Sequence, residues 1–163
     1  MTAPPALTLP VAVLAERRPG STPWQAVLWR AAAVLDAAPP VPPGTVLRRE
    51  GEVELHFLGA GEIALHRTDT PNYKENLESG APRAWVLLRP EGEGVALQAV
   101  TVDPGEAEVL AESQAAWLEA LPLPAALAAR LAAFVAEHHV ERVFHKRQRD
   151  RQDSDALGRR GRI

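Results

Sequence analysis

Between Glu52 and Leu65 the chain alternates with a period of two. Val53, Leu55 and Phe57 are interleaved with Glu52, Glu54 and His56, and Ile63 and Leu65 resume the apolar positions. An extended strand with one buried and one solvated face requires this period, which a 3.6-residue helix does not present. Between the two apolar groups, Leu58-Gly59-Ala60-Gly61 reads as a turn. A three-residue Gly59-Ala60-Gly61 loop, with Leu58 opposite Glu62, keeps all five apolar side chains on one face. His66 then stands opposite Glu54 on the solvent face, and His56 lies diagonal to it, about 7–8 Å away.

The rest of the chain organises around that hairpin. Val11–Leu14 reads as a first strand that extends towards Arg17 and stops at Pro19-Gly20. Trp24–Leu35 fits either a strand or an Ala-rich helix, and the strand is preferred because Val27, Trp29, Ala31 and Ala33 can share one face. Thr70-Pro71 predicts a short helix, with Thr70 as cap and Pro71 in its first position; Tyr73 and Leu77 lie on its buried side and Gly80 ends it. Arg83–Arg89 and Val95–Val102 form a strand pair. Asp103-Pro104-Gly105-Glu106 starts a helix expected to run to about Leu118. A last helix from Pro124 carries Leu127, Leu131, Phe134, Val135 and His138 on one stripe. Strands first and helices last predict an α+β fold. Its parts are an antiparallel sheet of about six strands, a short helix at the mid-chain junction, two C-terminal helices and a basic tail. Residues 1–144 are expected to form one domain and 145–163 a flexible tail.

Composition narrows the chemistry. With 163 residues, 46% hydrophobic and 24% charged, the chain can bury a core as a single soluble domain. Four of its few aromatics are Trp (Trp24, Trp29, Trp85 and Trp117), all assigned here to the core. The absence of Cys excludes disulfides, thiolate zinc sites and thiol nucleophiles. The first ten residues lack the pattern of a signal peptide, and no apolar run approaches the roughly 20 residues of a membrane span, so a cytoplasmic location is expected. Net charge is −3, but His145–Ile163 holds seven Lys/Arg against three Asp. A net-acidic body therefore carries a basic tail.

The polar side chains concentrate at Leu65–Leu77, a strand-to-helix junction where functional residues tend to collect. His66, Arg67, Asp69, Tyr73 and Asn76 are the candidates for binding a ligand or partner. His66 with Glu54 and Asp69 could act in acid–base chemistry, although no nucleophile or oxyanion donor accompanies them. His56 with His66 could bind a metal, and a solvated cross-strand pair explains the same residues. Gly59-Ala-Gly61 is no phosphate loop, since no helix with Gly-Lys-Ser/Thr follows. In the C-terminal segment, His139, Lys146, Arg147, Arg149 and Arg151 are candidates for gripping an acidic protein partner, while His139, Glu141 and His145 could hold a metal only if the chain folds back. Interspersed Asp150, Asp153 and Asp155 and the lack of stacking aromatics argue against nucleic acid. The residues themselves imply no cofactor and no catalytic set.

Several stretches together resemble a known family. They are Glu16-Arg-Arg-Pro-Gly20, Trp24, Trp29-Arg30, Ala33-Val-Leu35, Leu47-Arg-Arg-Glu-Gly51 and Leu65-His66-Arg67-x-Asp69-Thr70-x-x-Tyr73-x-x-Asn76-Leu77. Val86-Leu-Leu-Arg89, Phe134-Val135-x-x-His138-His139-Val140-Glu141-x-x-Phe144-x-Lys146-Arg147-x-Arg149-Asp150-Arg151 and Arg162-Ile163 complete the set. In these the chain resembles the bacterial proteins grouped as domain of unknown function 3305, departing from them around Val102–Glu106 and Gly158–Gly161. Family members tend to be encoded near formate dehydrogenase and other molybdenum-cofactor functions. The resemblance implies an accessory protein that meets a molybdoenzyme or its maturation factors. A label for molybdopterin-guanine dinucleotide synthesis, carried by some members, is not supported here, because the glycine-rich nucleotide motif is missing.

Overall fold

The computed structural model describes residues 3–143. The apolar run Val11–Ala15 is buried throughout and forms the middle of a 16-residue strand, β1 (Leu7–Thr22). Burial on both faces explains why this segment is continuously apolar rather than alternating. Leu9, Val11 and Val13 face the main core, while Ala12 and Leu14 meet Phe57 in a smaller cluster on the other side. A hairpin at Pro23-Trp24 leads into β2 (Gln25–Leu35), as the shared-face reading expects. Then come β3 (Val46–Glu50) and β4 (Val53–Leu65), giving an antiparallel sheet in the order β2-β1-β4-β3.

The expected turn at Gly59–Gly61 is corrected: β4 runs straight through it as one 13-residue strand. Its partner is β1, with Leu7 opposite Leu65, Val11 opposite Gly61 and Arg17 opposite Glu54. A bulge beside Gly59, not a hairpin, interrupts the ladder. Val13 pairs with Gly59 and Leu14 with Phe57, leaving Leu58 as the extra residue, while Gly59 takes φ +152. A long partner strand supplied the ladder that a turn would otherwise have had to supply. Pro19-Gly20 likewise does not stop β1. By Arg17 the ladder with β4 has ended, so Pro19 sits where β1 has only β2 beside it.

Past the junction come α1 (Thr70–Glu78), β5 (Arg83–Glu91), β6 (Gly94–Thr101), α2 (Pro104–Ala111), β7 (Trp117–Pro122) and α3 (Ala125–His138). The strands form a second antiparallel sheet in the order β6-β5-β7. Among the described residues, seven strands in two sheets therefore replace the single sheet of about six, and the α+β class with antiparallel pairing holds. The helix from Asp103 is shorter than expected because Trp117–Pro122 pairs with β5, Leu118 facing Leu87 and Leu121 facing Ala84. Pairing with a strand overrides the helix preference of Ala, Leu and Glu. The sheets pack with β4 along β6 and β2 along β7. Between and beside them lie Ile63, Leu65, Val86, Leu88 and Val100, closed off by Tyr73 of α1 and by Leu127, Leu131 and Phe134 of α3. The core assignment of the Trp residues is also corrected. Trp24 is 93% exposed, and Trp29, Trp85 and Trp117 are only partly buried.

Candidate functional site

The junction begins where β4 ends. A 3-10 turn at Arg67–Asp69 redirects the chain into α1, closed by an Asp69 N–H bond to the His66 carbonyl of 3.1 Å. Asp69, not Thr70, occupies the cap position, and its side chain makes no capping bond; its Oδ1 lies 3.1 Å from the Thr68 hydroxyl. Thr70 is already helical and buried, and its hydroxyl donates to the Arg67 carbonyl at 3.3 Å.

The five junction candidates separate into two groups. Tyr73 and Asn76 face inward. The Tyr73 hydroxyl accepts the His66 backbone N–H at 2.9 Å, and its ring meets Phe134 edge-on at 6.1 Å. Burial pushes its phenol up to about 12, against the lowering effect of the His66 bond. Asn76 donates to the carbonyls of Arg83 (2.8 Å) and Val102 (2.9 Å) and accepts the Arg83 N–H at 2.9 Å. It thereby ties α1 to the start of β5 and the end of β6. His66 and Asp69 instead line an open cleft of about 520 Å³, together with Thr68, Asn72, Asp103 and Glu106. Arg67 is exposed and does not line the cleft.

Asp103 holds the far wall of this cleft. Its Oδ1 accepts the N–H groups of Gly105 (2.7 Å) and Glu106 (3.3 Å), as its cap position predicts, and also the Asn72 amide at 2.9 Å. Glu106 does not reach back to the cap directly. Its Oε2 takes the Thr101 hydroxyl at 2.5 Å, and that hydroxyl oxygen accepts the Asp103 N–H at 3.1 Å, a capping box relayed through a threonine. Asn72 was already within the polar stretch and Asp103 legible as a cap. Their pairing was not, because 31 positions separate them.

The end of α3 returns to the same place. His139 Nδ1 lies 3.1 Å from the Thr70 hydroxyl, and Lys74 Nζ bonds Glu141 at 2.6 Å. That bond holds the Glu141 carboxyl below its ordinary range and raises Lys74. His138 packs against Phe134, ring centroids 4.5 Å apart, as its place on the apolar stripe predicts. Lys146, Arg147, Arg149, Arg151 and the third proposed metal ligand, His145, lie outside the described residues.

A second polar cluster sits at the opposite end of β4. His56 Nε2 is 2.8 Å from Glu54 Oε2, Arg49 reaches Glu54 Oε1 at 3.0 Å, and Arg17 lies 3.8 Å away. The His56 bond holds the Glu54 carboxyl below its ordinary 4.5, helped by both arginines and opposed by burial. Trp29 meets the His56 ring edge-on at 4.8 Å, and its buried indole N–H has no hydrogen-bond partner among the described residues. The predicted neighbours are therefore apart. His56 and His66 are separated by nearly the length of β4, roughly 30 Å at a strand's rise per residue, and Glu54 does not face His66. Among the described residues, no three His, Cys, Asp or Glu side chains are grouped to hold a metal, and no helix is long and apolar enough to cross a membrane.

No curated protein and no solved structure matches the chain. A family model described as "Protein of unknown function (DUF3305)" matches residues 10–148, which takes in β1 from Pro10 onward, every later strand named above, the junction, α1, α2 and α3. The chain belongs to the DUF3305 family of proteins of unknown function.

Proposed function

We propose that this protein is a non-enzymatic accessory module that binds another protein through the face formed by the junction and the segment leaving α3. One observation carries this reading: the contacts His139–Thr70 and Lys74–Glu141 fasten the exit of α3 to α1, so the junction and residues 139–141 make one surface. Val109, Val140 and Val143 are exposed on the segments that border it. Apolar side chains beside charged ones suit a protein partner better than a small substrate. The family resemblance makes a formate dehydrogenase-type molybdoenzyme, or a maturation factor for one, the first partner to test.

Immobilised full-length protein, a chain truncated after Phe144 and an Asp69→Ala variant are each offered a purified formate dehydrogenase-type enzyme. Retention by the full-length protein, weakened in both altered chains, is expected. A folded full-length bait that retains nothing rejects this partner. Equal retention by all three chains rejects the face.

The second reading is a small-ligand site at the His66 cleft. It is favoured by the convergence of His66, Asp69 and Asn72 on one concavity. The inward use of Tyr73 and Asn76 weighs against it. A fragment screen read by the His66 ring resonances separates the two readings: a saturable shift supports a ligand.

A further inference from the structure

We propose that the β1–β2 hairpin is a self-association surface, on which a second copy of this chain pairs its β2 edge antiparallel and seats its Trp24 against an apolar cleft. Three observations on this one element lead there. Trp24, at the hairpin tip, is 93% exposed, the most exposed of the large apolar side chains among the described residues. The same hairpin walls a cleft of about 560 Å³ lined chiefly by Val27, Leu28, Trp29, Pro90, Val95 and Trp117. Ring and receptacle therefore occur on the same chain.

The third observation is an unguarded edge. Natural sheets protect their edges with charge, proline, shortness or cover. The edge strand β3 has five residues, including Arg48, Arg49 and Glu50. The edge strand β7 has six, carries Glu119 and ends at Pro122. The third edge, β6, packs along β4. On β2, the Glu119 carboxylate accepts the Ala31 N–H and covers the edge from that point. From Gln25 to Trp29 there is neither a charge nor a proline. This segment also lies where the hairpin extends past the end of the β1–β4 ladder at Arg17.

A two-fold axis uses these features together. Antiparallel pairing about a two-fold axis at Val27 sets Val27 opposite Val27 and Gln25 opposite Trp29 of the other copy. No like charges meet. Trp24 of each copy then lies beside Arg30 of the other, which walls the cleft together with Trp117 and Glu119. Such an interface is isologous, each copy giving and receiving the same ring. A standard interface takes about 800 Å² from each side, of which a Trp ring supplies about 150–250 Å². Val27 and Leu28 are already partly buried and the free strand edge is short, so the contact falls below that size, which points to a reversible dimer rather than a permanent one.

Sedimentation velocity of the full chain over a concentration series tests this. A monomer–dimer equilibrium is expected, with Trp24→Ala and Ala26→Lys each raising the dissociation constant about tenfold or more. Both sites are exposed, so the far-UV spectrum should stay that of the parent. A monomer at every concentration overturns the proposal. So does a dimer that both variants leave unchanged. The junction is remote from this hairpin, so Trp24→Ala should leave partner capture there intact.

Discussion

Asn76 uses its whole amide inside the protein, donating to Arg83 and Val102 and accepting from Arg83. Alanine at this position leaves buried backbone groups without partners, so Asn76→Ala should lower stability by about 2–4 kcal/mol. Urea unfolding with an unchanged m-value checks this, and a loss below about 1 kcal/mol would sink the clamp. The concentration of polar residues between His66 and Asn76 was legible from sequence; their division into cleft-facing and core-facing sets was not. Asn76 lies three residues after Tyr73 and so shares its helix face, a signal that pointed inward. Its acceptor on Val102 lies 26 positions downstream, and nothing local announces it.

β4 shows the same division between local pattern and distant partner. The alternation over Val53–Phe57 marked a strand correctly, whereas Gly59-Ala60-Gly61 fits a turn or a bulge equally well until β1 is placed beside it. The reason for glycine at position 61 is steric. A Cβ there would stand 3.0 Å from Leu97 Cδ2 and 3.8 Å from Val100 Cγ2, where β4 crosses β6. Gly61→Val should therefore cost about 1–3 kcal/mol through overpacking. Gly61→Ala should cost less, because the end of the Leu97 side chain can yield. Thermal unfolding of the pair checks this, and equal midpoints for both variants and the parent would remove the close approach as its cause. The Asp103 helix start was readable because capping is local. Its early end was not, because only pairing with β5 makes Trp117–Pro122 a strand.

Across the whole molecule, Tyr73 joins both sheets to α3, and it is the chain's single tyrosine. Its phenol ionises near 12 when folded, against the usual 10. Below pH 10 both folded and unfolded chains keep the proton and the contribution to stability is complete. Above it, the unfolded chain releases the proton first, and stability falls by about 1.4 kcal/mol per pH unit until the folded value is passed. Absorbance at 295 nm should follow one late phenol titration, and the Tyr73→Phe variant should lack this part of the alkaline slope. A midpoint near 10 in the folded protein would refute the burial argument. The sheets' connectivity carries a further consequence. Every pairing of the first sheet lies within residues 7–65, and every pairing of the second within 83–122. On a ribosome, the first sheet can close while the second is still being synthesised. Leu9, Val11, Ile63 and Leu65 then wait uncovered for Val86 and Leu121, and during that interval a chaperone has a surface to hold.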